Sequence, residues 1–429
     1  MKNSKVHRGW IILVVTVLNV LAGLGFGRFS FAAIIPFMRE GLSISYSEAG
    51  IIASAIFLGY LVSATVVGHL VSRFSAKKVI LTALAITILG MGLSSIVINF
   101  WTAYLTCFLI GIGSGGVNVA SLGLVGKWFS AKYRGTALGV TNSGSSFGMV
   151  ASGFLVPFLI TMFPSEGWRV SWIVLAVLSI IILLINFFLL VDDPKKIGLK
   201  PVGETEGPKF SGKSSINVEE ENKIVNVYKS NMIWVIGLIF FSWGFSYLIF
   251  STFFVDYLIN TVQLEKQTAG FFFSSAGFVS IVSGFLLGGL SDRIGRMPTL
   301  FIVCFIQAGI LIGFALTTHQ TILYIQSVIY ALTLWGVPTV TVATVSEITR
   351  ADKTTVAIGF ITIFFGIGQW LSPIVTGYII DATQSYTIAF YLSAFVCYLG
   401  CLGCVYVYLK QKQNKKSKVE QVEREGITS

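Results

Sequence analysis

Twelve long stretches of this chain carry almost no charge, and they fall at about 10–38, 46–71, 77–98, 101–127, 135–162, 169–190, 231–260, 267–290, 297–317, 321–347, 354–380 and 385–409. Each is at least as long as the roughly 20 residues an α-helix needs to cross a bilayer. Their apolar character runs all the way round instead of alternating, which excludes the roughly ten-residue strands of a transmembrane barrel. Backbone groups in hydrocarbon must be satisfied within the segment, so the expected fold is an all-α polytopic membrane protein with twelve spanning helices. Composition agrees, with 11% of residues charged and a mean hydropathy of +0.81, against about 25% charged in soluble domains. The first stretch is too long for a signal-peptide core and lacks a cleavage pattern before Arg28, so it reads as a retained helix.

Charge asymmetry sets the expected topology. Twenty-six of the thirty Lys and Arg residues fall on one side if the N-terminus is placed inside, and the outer loops keep only Arg39, Arg169 and Lys266. By the positive-inside rule both termini are expected in the cytoplasm and the protein in the plasma membrane. The formal charge of +11 is thereby explained by topology and gives no reason to invoke nucleic acid.

Between 191 and 230 the composition turns polar and rich in Pro, Gly and Ser, beginning D-D-P-K-K-I-G-L-K-P. This divides the chain into a six-helix bundle (1–190), a cytoplasmic linker (191–230), a second six-helix bundle (231–409) and a tail (410–429). Linker and tail both read as segments of weak intrinsic order. The halves repeat at a spacing of 220 residues: Ala49 and Gly50 match Ala269 and Gly270, Ser63 matches Ser283, Gly68 matches Gly288, Arg73 matches Arg293, Ala137 and Gly139 match Ala357 and Gly359, and Gly148 matches Gly368. Six spans return the chain to its starting side, so this is a parallel pseudo-two-fold repeat about an axis along the membrane normal.

The turn after the eighth segment reads Gly288, Gly289, Leu290, Ser291, Asp292, Arg293, Ile294, Gly295, Arg296. It resembles the signature loop of the major facilitator superfamily, and the turn after the second segment is a degraded copy with Ser72 in the acidic position, Ser75 in place of the second Gly, and Arg73, Lys77 and Lys78 retained. The resemblance implies two six-helix bundles rocking about a central site, with Arg73, Arg134, Asp292 and Arg293 as gating residues. Asp292 is then expected to meet the start of the fifth helix near Arg134 when the inner gate is shut; the bland reading of such loops is a topology anchor. The stretch Trp128, Phe129, Arg134, Gly135, Ala137, Gly139 is similar to the branch containing monocarboxylate carriers and oxalate/formate exchangers, as is the start of the linker. Those carriers place a basic residue in helix 8 or 11, whereas here the eighth segment has none and the eleventh offers Gln369. Substrate identity is therefore not inherited.

Sorted by position, only Arg28 among the basic residues lies deep inside an apolar segment. A guanidinium stays charged, and burying it in hydrocarbon costs from about 3 to more than 10 kcal/mol, so an intramembrane Arg faces a partner or a wet cavity. It lies about 27 Å along the first helix from Trp10, past the midplane. It either snorkels to the outer interface or faces inward as an anion-binding group, a choice weighed by Gly23 and Gly27, whose small-xxx-small spacing suits close helix packing. Asp256, set inside the seventh segment near its outer end, is the candidate coupling residue: a proton carrier, a partner of Arg28, or simply a solvated helix-end charge. Asn118, Asn142, Trp243, Tyr247, Tyr330, Trp335 and Gln369 complete the candidate substrate-binding set, with packing and helix-helix hydrogen bonding as their alternatives.

Gly111, Gly113 and Gly116 satisfy G-x-G-x-x-G inside an apolar helix, with no preceding strand, so they do not read as a dinucleotide site. No phosphate-binding P-loop occurs. His7, His69 and His319 are scattered, and Cys107, Cys304, Cys397, Cys401 and Cys404 lie in apolar helices with no acid or His to complete a metal site. No enzyme, cofactor or metal is expected. The expected function is secondary transport of a small organic anion, a monocarboxylate above all, by one chain acting alone, coupled to protons or to a counter-anion. The alternative is proton-driven efflux of amphipathic compounds, weakened because the fifth segment lacks the G-P-x-x-G-G ending of drug/proton antiporters.

Overall fold

The computed structural model describes residues 7–204, 226–350 and 353–427. All described spanning elements are helical: α1 (Arg8–Leu42), α2 (Tyr46–Phe74), α3 (Ala76–Ser94), α4 (Phe100–Trp128), α5 (Ala131–Met162), α6 (Gly167–Leu189), α7 (Asn231–Asn260), α8 (Lys266–Ser280 and Ser283–Ile294), α9 (Arg296–Leu316), α10 (Gln320–Ile348), α11 (Thr354–Thr383) and α12 (Thr387–Ile427). Among the described residues eleven are long and apolar enough to cross a membrane, and α8, bent by 43°, makes the twelfth.

Local sequence accounts for where the helices begin. Ser45 and Glu48 form a reciprocal capping box at the start of α2, and Asn99 and Thr102 do the same for α4, each satisfying backbone donors that the first turn leaves free. The two signature turns adopt one geometry: Gly295 has φ 96° and ψ 157°, and Ser75 at the equivalent position has φ 91° and ψ 151°. The repeat thus holds in the backbone where it has decayed in the sequence.

One apolar core gathers residues between Ile12 and Val202, and another runs from Val227 to Val407 while also taking in Leu24, Phe29 and Phe57 from the first half. The halves touch along two seams. On α2 and α11, Ser54 Oγ donates to the Trp370 carbonyl at 2.6 Å, and a methyl group at Gly50 or Gly377 would overlap the facing backbone of Pro373 or Tyr46. On α5 and α8, Ser274 Oγ donates to the Val150 carbonyl at 2.9 Å, and Gly153 meets Gly270 with no room for a Cβ. These seams close the face opposite the described chain ends. Toward the other face, which carries the Lys- and Arg-rich turns, the same four helices part: Gly68, Gly135, Gly139, Gly289 and Gly359 have open space where a Cβ would be. The molecule is closed at one face and open at the basic one.

Two expectations need correction. The tail is not irregular, since α12 continues to Ile427. Its sequence consists mostly of good helix formers. Arg39, counted as a loop residue, belongs to the last turn of α1. The linker is described at its two ends, where residues 191–203 strap onto the basic face: Val202 donates to the Trp128 carbonyl at 2.8 Å and Asp192 accepts from the Lys77 backbone at 2.6 Å. The expectation of weak order for 205–225 lies outside the described residues.

Candidate functional site

Four helices lose regularity at mid-depth. Residues Leu21–Phe29 of α1 form a π-helix, α7 breaks at Tyr247, α8 bends between Ser280 and Ser283, and α10 breaks at Trp335. Such interruptions leave backbone groups that only neighbouring polar side chains can satisfy inside a membrane, and π segments gather at functional sites. Here the breaks serve one another, because the Trp335 backbone N–H donates to Ser283 Oγ at 3.0 Å while its indole N–H donates to Ser146 Oγ at 3.1 Å and Ser280 Oγ at 3.3 Å.

The π segment is possible because alternate residues are glycine. Gly25 stacks backbone to backbone on Gly148 of α5, Gly23 faces Val117 of α4, and Gly27 faces Thr87 and Ile110. A widened helix therefore fits between α4 and α5. Arg28, at the end of this stretch, is 7% exposed and points across to the other half, where its Nη2 donates to the Tyr247 hydroxyl at 2.6 Å. Gln369 of α11 donates to the same oxygen. Aromatic rings surround the guanidinium: Phe57 at 4.4 Å, Phe29 at 5.2 Å and Tyr60 at 5.5 Å from Cζ. Each such contact is worth about 0.5–2 kcal/mol, which eases burial of the charge without neutralising it. No carboxylate pairs with Arg28 among the described residues, and its Nε has no partner.

Tyr247 is positioned in turn by Trp243, whose ring stacks on it at 4.6 Å, in a column that continues through Phe365. Asn118 Nδ2 donates to the Tyr60 hydroxyl at 2.9 Å, leaving its Oδ1 without a partner. Asn142 is exposed one helical turn from Ser146, on the side of α5 that faces α8, where the two helices part. The structure thus gathers Arg28, Tyr247, Gln369, Trp243, Trp335 and Asn118 about one mid-depth region. Tyr330 stands behind this group, fully buried against Phe250 at 4.7 Å and Phe314 at 6.3 Å and within electrostatic reach of Tyr247.

Asp256 does not partner Arg28. It lies beyond Tyr247 toward the closed face, 1% exposed, with Arg39 Nε 3.8 Å from Oδ1 and the Tyr386 hydroxyl donating to Oδ2. That corrects both the pairing with Arg28 and the solvated alternative. Sequence reasoning missed Arg39, Tyr386, Asp381, Phe57 and Tyr60. A signal for Arg39 existed: eleven residues are three helical turns, so it shares a face with Arg28 about 16 Å further on.

At the basic face Asp292 pairs with Arg296 at 2.5 Å, and Arg296 pairs with Glu347 at 2.8 Å. Arg73, Arg134 and Arg293 are exposed. Among the described residues Asp292 pairs with Arg296 and no contact to the start of α5 is seen. Cys304, Cys397, Cys401 and Cys404 cluster between α9 and α12, and no group of His, Cys, Asp or Glu suited to a metal occurs among the described residues.

A helical membrane protein open at one face, with a buried cation bridging its two halves, has the form of a carrier. The sequence matches the Major Facilitator Superfamily over residues 17–346 and 336–428, and the chain belongs to that family of transporters; it is not an enzyme. It is 23% identical to a hexuronate transporter of Bacillus subtilis (strain 168) over 408 residues, covering 92% of this chain and 93% of that one. It is 22% identical to monocarboxylate transporter 6 of Mus musculus over 439 residues, covering 98% and 91%. Among solved structures, a bacterial homolog of the human lysosomal transporter Spinster, inward-facing and occupied, superposes with a TM-score of 0.72 at 15% identity, covering 96% of this chain and 98% of that one.

Proposed function

We propose that this protein carries a small organic anion, a monocarboxylate in the simplest case, across the plasma membrane by alternating access of its two halves, with both termini in the cytoplasm. The observation that carries the reading is Arg28: a buried guanidinium at the seam, without a carboxylate partner and with an unsatisfied Nε. A substrate carboxylate supplies the missing charge and accepts charge-assisted hydrogen bonds from the fork of N–H groups. Tyr247 and Gln369 hold the site together from the second half, and Trp243, Trp335, Asn118 and Asn142 line its approach. Tyr330 belongs to the supporting wall. The relatives named for hexuronate and monocarboxylate transport, both organic acids, support the same class.

Coupling follows from charge. Moving a monoanion into a compartment 100 mV negative costs about 2.3 kcal/mol, so uphill uptake requires a co-transported proton or an exchanged anion. Asp256 or the substrate carboxyl carries that proton. On closure of the basic face, Asp292 leaves Arg296 for the start of α5 and Arg134, with Arg73 and Arg293 anchoring the two signature turns. One chain contains the whole pathway.

Uptake of a panel of radiolabelled carboxylates into proteoliposomes, with and without a pH gradient, tests the reading. Saturable carboxylate flux whose KM rises steeply in Arg28→Gln is expected. Movement of lipophilic cations with no anion flux overturns it in favour of amphipath efflux.

A further inference from the structure

The seam between α5 and α8 changes character at one pair of residues. On its closed side Gly270 meets Gly153, Ser274 Oγ donates to the Val150 carbonyl at 2.9 Å, and Gly277 leaves no room for a Cβ against Met149 and Val150. One turn further along, Ser146 and Ser280 hold their hydroxyl oxygens 2.8 Å apart. Beyond them the helices part: a Cβ on Gly284 would meet atoms of its own half alone, on Trp335 and Thr339, and Gly139 faces open space. The seam between α2 and α11 parts at the matching register. The 220-residue repeat maps Ser146 onto Gly366; Gly366 meets the Leu61 side chain, and past that contact Gly359 and Gly68 are open.

We propose that Ser146, Ser280, Ser283 and Trp335 form a hydrogen-bonded pin about which the two halves rock, with Trp335 as the positioning residue that holds it. When two bodies move an opening from one end of a shared seam to the other, they separate where they now touch and meet where they now part. The point between those two stretches changes its separation least. Ser146 and Ser280 occupy that point, so their contact persists through the cycle, whereas each contact nearer the closed face breaks and re-forms.

Trp335 ties the pin to the two helices that bend beside it. Its indole N–H donates to Ser146 Oγ at 3.1 Å and to Ser280 Oγ at 3.3 Å, one acceptor in each half, and its backbone N–H donates to Ser283 Oγ at 3.0 Å. The helix of α8 is interrupted at Ile281 and Val282, between the two accepting serines, and that of α10 at Leu334 and Trp335 itself. Inside a membrane a break of this kind holds only where its freed backbone groups find partners in the protein, so the bonds that pin the halves also keep α8 and α10 jointed at that depth. Trp335 meets Phe29, the neighbour of Arg28, edge-on at 5.5 Å, which sets the pivot at the level of the substrate site. The repeat places Gly115 where the second half has Trp335, and the other seam parts at the apolar contact of Leu61. Among the described residues the pin therefore belongs to one seam. The proposal rests on the alternating-access part of the reading above and is independent of which solute is carried.

A covalent tie separates a pivot from a contact that has to break. Ser146→Cys/Ser280→Cys in proteoliposomes, closed by oxidation to a disulfide or by the shortest bis-methanethiosulfonate and verified by mass spectrometry, is expected to keep most of the flux of its reduced form. Thr161→Cys/Gln267→Cys, at the closed end of the same seam where the Gln267 amide donates to Thr161 Oγ1 at 2.7 Å, is expected to lose its flux when tied and regain it on reduction. All five native cysteines are buried, and the parent protein under the same reagents sets the baseline. Trp335→Phe keeps the ring and removes the indole donor, so flux at saturating solute should fall about two- to tenfold, the range that one neutral hydrogen bond spans. Tying Ser146→Cys to Ser280→Cys in that background should restore it, which the loss of a substrate contact would not allow. Flux that disappears on tying the serine pair and returns on reduction overturns the pin, and so does a Trp335→Phe deficit that the tie leaves in place. The flux read is that of the carboxylate panel; if only lipophilic cations move, the anion reading falls and the same comparisons are made on the cations, so the two failures stay distinct.

Discussion

Arg28 and Tyr247 stand 219 residues apart and in different halves, yet the guanidinium reaches the phenol oxygen at 2.6 Å. That bond is the one hydrogen bond Arg28 makes to a side chain among the described residues. It ties the deep cation to the half that moves against it. On the proposed anion-carrier reading, a substrate arriving from the basic face would meet a positive charge that already touches both halves, and its binding would be coupled to closure by that geometry.

Arg28→Gln should raise the KM of the best carboxylate about 10- to 100-fold. A hydrogen bond to a charged group contributes about 1.5–3 kcal/mol, and about 1.4 kcal/mol is tenfold. Arg28→Lys keeps the charge and loses the fork, so it should fall between Gln and the native protein. Tyr247→Phe should change KM less than tenfold, because the cation remains. Concentration dependence of uptake in proteoliposomes measures all three; a native KM in Arg28→Gln removes Arg28 from the site.

Gly25→Ala or Gly148→Ala should disable the carrier without touching Arg28. Each glycine occupies the space a Cβ would need on the other, and overpacking of this kind typically costs about 1–3 kcal/mol. The π segment is the part of α1 forced to give way, and Arg28 would lose its aim at Tyr247. Thermal unfolding should show a lower midpoint, and uptake should drop at saturating substrate. A Gly148→Ala protein with native midpoint and flux would mean that α1 tolerates a wider separation from α5.

Much of this was legible in the sequence for a plain reason: membrane helices must be long and apolar, so their number, order and repeat are written in hydropathy and charge. Arg28 was legible because a lone charge in such a segment is costly. Its partner was not. No pattern says that Tyr247, on the seventh span, faces the first, since that depends on a π segment that turns Arg28 and on how two bundles meet. Arg39 was hidden by its position at the end of an apolar run, where it looks like a loop charge until the helix is seen to continue. Gln369 and Trp335 were found by polarity and aromaticity; Phe57 and Tyr60 look like every other aromatic in a span.

Ser75→Gly should stabilise the protein. At φ 91° and ψ 151° a serine occupies a region essentially reserved for glycine, at a cost of about 1–3 kcal/mol. The symmetry-related Gly295 adopts it freely. The substitution gives up a serine contact to Asp192, which at this partly exposed carboxylate is screened to about 1 kcal/mol, below the roughly 1.5–3 kcal/mol of a buried charged hydrogen bond. The net gain should be about 1 kcal/mol, read as a higher midpoint in thermal unfolding. A lower midpoint would show that the contact to Asp192 outweighs the backbone strain.

Asp192 gives the linker strap a pH dependence whose sign is fixed. Partial burial alone would raise its pKa, but the Lys77 backbone N–H, the Lys196 ammonium and Ser75 together hold the carboxyl below its ordinary value. A carboxyl lowered on folding contributes stability that is fully present above its unfolded value, near 3.9, and is lost as pH falls through the lower folded value. The strap of residues 191–203 should therefore stay protected at pH 5 and above and loosen only below about pH 4. Asp192→Asn should weaken protection at neutral pH about tenfold or less, as expected for one partly exposed charged contact, and should flatten the acid response. Hydrogen exchange of the strap peptides, normalised to α6 in the same digest, reads both effects. Protection in Asp192→Asn that equals the native value at neutral pH, with the acid response intact, would show that Val202 and the Trp128 carbonyl hold the strap without it.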